Sequence, residues 1–289
     1  MDSEQTEIDL QKLLQQQLHS LAQFGVREIA AGNGECAIEF ETAQSPQVEP
    51  ASKPPEKVSS AAEAAAAAAP KQSAKPPAAP KAAAPPIEIS DTWGAATAQA
   101  ERPAALEVIN TQVRECTLCE ELCSTRTQTV FGVGSPSARL VFIGEGPGAD
   151  EDRLGEPFVG AAGKLLNKIL AASQLKREDV YILNTVKCRP PRNRNPNESE
   201  IQNCWGYAQR QLDVIQPEFI CCLGAVAAKT MLQTKQSLGR LRGRFHSWKG
   251  AKLVVTYHPA YLLRNEGAKA HVWQDMKMLV KEMGIDLTK

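Results

Sequence analysis

The sequence predicts an α/β fold, a three-layer α/β/α sandwich around a central four-stranded parallel sheet, with a disordered N-terminal extension ahead of it. Three observations carry this reading. Four short apolar runs rich in strand formers recur after residue 139, each bounded by turn residues. Segments of helical period separate them, as the crossovers between parallel strands require. Several of the runs empty into loops bearing glycine, asparagine or histidine, and open α/β sheets bind ligands at that carboxyl edge.

Taken in order, residues 1–32 begin acidic and then place Leu10, Leu14, Leu18 and Leu21 at helical spacing, an amphipathic helix suited to a protein partner. Residues 43–100 are rich in Ala and Pro with almost nothing apolar to bury, and read as a disordered linker. The folded domain is expected over 101–289. Residues 1–100 carry 7 Lys and Arg against 13 Asp and Glu, so the remainder carries 26 against 20. The formal net charge of zero hides a basic C-terminal domain, which suits a polyanionic partner. No apolar run approaches a membrane span and the N-terminus lacks a basic signal region, so a cytoplasmic (bacterial cytoplasm or nucleoid) monomer is expected. The eight cysteines are sparse and uneven, which favours metal ligands or free thiols over disulfides.

Within the domain, Pro103 opens a helix whose apolar face is Leu106, Ile109 and Val113. Leu140 to Ile143 is the first strand, followed by Gly144-Glu145-Gly146-Pro147-Gly148 and the acids Asp150, Glu151, Asp152 and Glu156. A helix starting at Gly163-Lys164 uses Leu165, Leu166, Ile169 and Leu170. Val180 to Leu183 is a second strand ending at Asn184, and the basic loop KCRPPRNRNPNE follows it. Helix 198–214 is capped by Asn197. Phe219 to Leu223 is a third strand, followed by Gly224 and a short helix to Leu232. Lys252 to Thr256 is a fourth, ending at Tyr257-His258-Pro259, and a last helix covers His271 to Met283.

The most specific spacing belongs to the cysteines. Cys116 and Cys119 form a C-x-x-C pair, and Cys188 and Cys204 can face one another from a strand exit and the next helix. The wide second pair favours a [4Fe–4S] cluster over a structural zinc, with Cys123 as a competing third ligand of the first group. Cys221 and Cys222 lie in a strand as inert thiols. The glycine loop superficially matches a dinucleotide fingerprint, but Pro147 and the acids oppose a helix there and would repel a pyrophosphate. Gly160 to Lys164 lacks the P-loop hydroxyl, because Leu165 stands in its place. His258 at a strand end can donate to developing negative charge.

The blocks CTLC, VFGVG, GEGPGADED, EPFVGAAGKLL, LNTVKCRPPRNRNP, LGAVAAKTML and YHPAYLLRN, with Cys204, resemble the family 4 uracil-DNA glycosylases, the iron–sulfur branch of that superfamily. The resemblance covers roughly Leu106 to Met283. It implies a repair enzyme that flips deoxyuridine from DNA and hydrolyses its N-glycosidic bond, leaving an abasic site. It further implies that Phe158 stacks the base, that Asn184 reads the uracil edge, and that His258 bonds the departing uracil. It implies that Gly144, Glu145 and the backbone at Gly146 line the pocket. Several other branches carry a water-activating aspartate at the place of Gly146 and a methyl-excluding aromatic at the place of Gly148, and this sequence has neither. Glu145 is therefore expected to orient the water and Glu151 to block the thymine methyl. A structural cluster held by Cys116, Cys119, Cys188 and Cys204 fixes Arg189, Arg192 and Arg194 against DNA phosphates, and Tyr261, Leu262, Leu263 and Arg264 fill the gap left by the flipped base. Two alternatives stay open: a relative that binds or traps uracil-DNA without turnover, and a metal-stabilised DNA-binding scaffold.

Overall fold

In a computed structural model of the chain, residues 92–288 are described. The expected N-terminal helix and residues 43–91 of the expected linker lie outside them. Among the described residues no helix is long and apolar enough to cross a membrane.

The elements run in chain order as α1 (Arg102–Glu115), α2 (Glu120–Thr125), β1 (Val133–Gly134), β2 (Leu140–Gly144), α3 (Ala149–Leu154), α4 (Ala161–Ala172) and β3 (Tyr181–Asn184). They continue as α5 (Glu198–Ile215), β4 (Phe219–Leu223), α6 (Ala225–Leu232), α7 (Leu238–Leu241), β5 (Phe245–Trp248), β6 (Ala251–Thr256), α8 (Pro259–Leu262) and α9 (Lys269–Glu282). The sheet has six strands in the order β1-β3-β2-β4-β6-β5, not the four expected. The inner four are parallel, as expected, and each edge is closed by an antiparallel strand, β1 on β3 and β5 on β6. The chain passes from β2 to β3 on one side and later to β4 on the other. That reversal opens a crevice at the carboxyl ends of the strands.

Alternation along each strand builds the three layers. Val141 and Ile143 of β2 face a cluster with Ile109 and Val113 of α1 and Trp205 and Leu212 of α5. Leu140 and Phe142 face the other way, onto Leu166 and Ile169 of α4 and Met276 and Leu279 of α9. β2 and β4 are buried along their whole length, so their sequences read as unbroken apolar runs.

Two local expectations are corrected. A helix does start beside the glycine loop. Gly148 caps α3 and the acids Asp150, Glu151 and Asp152 fill its first turn, where the positive end of the helix dipole favours them. The folded body also begins before residue 101. Trp93 packs edge-on against Trp248 at 5.3 Å, the Lys249 ammonium lies over the Trp93 ring, and Gln216 donates to the Gly94 carbonyl. A chain beginning at residue 101 should therefore melt several degrees below one beginning at residue 92, because each kcal/mol lost shifts a domain of this size by roughly 2–4 °C. Thermal unfolding of the two truncations checks this.

Candidate active site

The strand ends β2, β3 and β6 share one rim, and the loops leaving them enclose a cavity of about 490 Å³. Glu145, Gly146, Glu151, Phe158, Asn184 and His258 all line it. Gly144 lies behind the lining rather than on it. A Cβ built there would stand 2.7 Å from Phe158 Cζ and collide with Asn184 Oδ1, so the missing side chain lets both residues close over the end of β2.

Phe158 holds a left-handed backbone (φ 54°), which is rare for an aromatic residue. Gly163 of α4 presses on its main chain, where any Cβ would overlap the Phe158 carbonyl. The Phe158 ring stands 5.4 Å from the His258 ring, tilted by 34°. Asn184 is buried and its Oδ1 has no protein partner among the described residues. The Asn184 carbonyl accepts a 2.9 Å bond from Nζ of the buried Lys187, which fixes the backbone at the end of β3. Nδ1 of His258 accepts a 3.1 Å bond from the Ala260 amide, which leaves the ring proton on Nε2. Burial holds its pKa down to about 4, against a smaller opposing pull from Glu151. The ring is therefore a neutral Nε2–H donor across the physiological range. Burial raises the Glu145 carboxyl above its ordinary value.

Glu151 lines the cavity and is held there by the main chain. Its Oε1 accepts from the Val159 and Gly160 amides at 3.0 and 2.9 Å, and its Oε2 accepts from Gly148 at 3.1 Å. A carboxylate with three main-chain donors is a staple between the glycine loop and the start of α4, held in place on the cavity wall.

The four cysteines lie just past α1 (Cys116), just before α2 (Cys119), at the β3 exit (Cys188) and in α5 (Cys204). Cys116 acts electrostatically on Cys119, Cys188 and Cys204. Among the described residues no three His, Cys, Asp or Glu side chains close on one point as the ligands of a single ion would. The surroundings suit soft-metal thiolates. Arg126 Nη1 donates to Cys188 Sγ at 3.0 Å, the Lys187 amide to Cys204 Sγ at 3.2 Å, and Asn203 Nδ2 to Cys119 Sγ at 3.6 Å. Burial pushes Cys204 up to about 12 and raises Cys188 and Cys119, so these thiols favour ionisation only beside a compensating cation. The Cys123 thiol points instead at the Cys116 carbonyl.

A model of the Uracil DNA glycosylase superfamily matches residues 131–277, from just before β1 into α9. The chain belongs to that superfamily. It is 45% identical over 166 residues to the type-4 uracil-DNA glycosylase of Thermotoga maritima, covering 57% of this chain and 86% of that protein. It is 42% identical over 183 residues to the type-4 enzyme of Archaeoglobus fulgidus, covering 61% and 92%. A type-5 uracil-DNA glycosylase of Pyrobaculum aerophilum is 29% identical over 154 residues, covering 46% and 66%.

Two residues expected to meet DNA in this glycosylase are engaged elsewhere. Leu262 is fully buried, packed with Leu166 and Met276, so it cannot wedge into a base stack. Arg194 grips both carboxylate oxygens of Glu200 at 2.7 and 2.9 Å and reaches Glu121 at 2.8 Å, tying its loop to α2 and α5. Sequence reasoning missed that pairing, although the Asn197–Glu200 capping box that orients Glu200 was legible. Arg192, Tyr261, Leu263 and Arg264 are exposed, and Arg189 is half-buried with its Nε on Asn193 Oδ1. The ring NMR signals of His258 should titrate near pH 4 and show the Nε2–H tautomer at pH 6. A midpoint near the ordinary histidine value, about 6.5, would contradict this geometry.

Proposed function

We propose that this chain excises uracil from DNA by hydrolysing the bond between uracil N1 and deoxyribose C1′. The observation that carries the reading is the shared cavity, where a strained aromatic ring, an unsatisfied buried amide oxygen and a neutral imidazole N–H converge. Inside a duplex the glycosidic bond is out of reach, so the nucleotide must be extruded into the cavity. Phe158 gives the base a stacking surface. Asn184 Oδ1 accepts from uracil N3–H while its Nδ2 donates to O4. Cytosine presents the reverse pattern and leaves both groups unpaired, which is a strong basis for rejection.

As the N1–C1′ bond breaks, its electron pair leaves with uracil and the charge spreads to O2. His258 Nε2–H donates to that oxygen without giving up its proton, which stabilises the leaving anion. Water bonds to C1′ as the sugar loses the base, and Glu145 orients it. The proton that water releases balances the one uracil takes up. Glu151 keeps the loop closed beneath these groups. Arg189, Arg192 and Arg264 supply cations for phosphates, which makes binding salt-dependent.

Cys116, Cys119, Cys188 and Cys204 are the residues that would hold a [4Fe–4S] cluster. When bound, the cluster acts as a structural tie joining α1 and α5 to the basic loop that follows β3. The surrounding N–H donors support a thiolate-bound cluster, since such hydrogen bonds to the sulfurs are a feature of these sites.

On a uracil-containing oligonucleotide, alkali-labile sites should accumulate in excess over enzyme. A stoichiometric adduct would point to a trapping relative, and no product to a DNA-binding scaffold. His258→Ala and Asn184→Ala should each lower the rate by about two to three orders of magnitude, the scale of losing one preorganised donor. Anaerobically purified protein should absorb broadly in the visible and carry about four irons per chain. Both signals should be lost in Cys204→Ser, and zinc in place of iron would contradict the cluster assignment.

A further inference from the structure

Arg242, in the loop between α7 and β5, lies outside the cavity and outside the catalytic groups named above. Its partners nevertheless lead to the cavity. Asp275 of α9 is buried, and its Oδ2 takes Arg242 Nη2 at 2.9 Å, Arg242 Nε at 3.1 Å and the Thr256 hydroxyl at 2.7 Å. Arg242 Nη2 also donates to the His271 carbonyl at 2.6 Å. The guanidinium then sits over the Tyr257 ring, 5.4 Å from its centre. Tyr257 stacks on Tyr261, ring centres 5.2 Å apart and nearly parallel at 19°. Tyr261 lines the cavity mouth and is 41% exposed, among the few large apolar groups presented to solvent.

We infer that Arg242 is a positioning residue for duplex DNA: anchored on Asp275, it holds Tyr257 and through it sets the Tyr261 ring at the cavity mouth. A buried ion pair is a weak source of stability, since apolar side chains of the same volume serve a core as well or better. This one delivers a cation to the face of an aromatic ring instead, and that ring supports another at the surface. His258, which follows Tyr257 in the chain, is held by other contacts. Ala260 donates to its ring, and a Cβ built at Gly224 would stand only 3.1 Å from its Cβ. Loss of the Arg242 contact therefore loosens Tyr261 while leaving the group that bonds the leaving base. A ring fixed at the mouth matters where a base must be drawn out of a stack and the gap filled. A single strand has neither a partner base nor a continuous stack to breach.

This inference rests on the uracil-excision reading. The test compares uracil release from the same oligonucleotide as duplex and as single strand. Arg242→Gln should lower kcat/KM on the duplex by about tenfold, the scale of a desolvated cation–π contact, and change the single-strand value by less than about twofold. Arg242→Lys, which keeps the cation, should recover part of the duplex loss. Tyr257→Leu leaves the Arg242–Asp275 pair intact and should show the same duplex-selective loss, which covers the case in which Arg242→Gln folds poorly. Combining Arg242→Gln with Tyr261→Ala should cost no more than Tyr261→Ala alone, since both act through one ring. Equal losses on both substrates, additive losses in the double variant, or no loss on the duplex would overturn the assignment. If the unaltered protein releases uracil from neither substrate, the excision reading itself fails.

Discussion

The site depends on a side chain that is not there. β2 ends at Gly144, and the space a Cβ would fill is taken by the Asn184 amide from one side and the Phe158 ring from the other. Two polar or bulky groups from separate crossovers can meet over a strand end only if that strand presents no side chain of its own. The same device recurs at Gly163, which admits the left-handed Phe158 backbone, and at Gly224, beside the His258 Cβ. Three close approaches thus turn a doubly wound sheet into a fitted cavity.

Around this contact the protein places its charges with economy. Glu151 faces the cavity, and its oxygens accept from three main-chain amides, so its negative charge serves loop closure. Arg194 looks like a phosphate ligand in the sequence but is consumed by Glu200 and Glu121. Asp275 is deeply buried, yet it organises Thr256 and Arg242 on the outer side of the His258 loop. The neutral state of His258 follows from the same logic: its surroundings disfavour a cation, and an N–H donor is what a departing oxyanion needs.

Much of this was legible in the sequence, for identifiable reasons. The four parallel strands are fully buried or nearly so, and burial on both faces forces unbroken apolar runs that stand out from any background. Their ends stand out equally, because glycine, asparagine and histidine interrupt the pattern. What escaped detection lacks periodicity. β1 is two residues long, and β5 has a half-buried face with no alternation to read. Trp93 sits at the edge of a low-complexity stretch, where one tryptophan is a weak signal until Trp248 is seen beside it. Leu262 and Leu263 are indistinguishable as letters. One turns into the core and the other to solvent because α8 begins at Pro259, a choice made by a turn rather than a pattern.

The central claim is that the close approach over Gly144 assembles the uracil-reading surface, and Gly144→Ala tests it most directly. The measurement is single-turnover uracil release with the circular dichroism spectrum and melting temperature taken alongside. A variant that stays folded should lose at least about a hundredfold in rate, because displacing Asn184 and Phe158 by even 1 Å has that scale of effect. A folded Gly144→Ala protein that releases uracil at the unaltered rate would contradict the account.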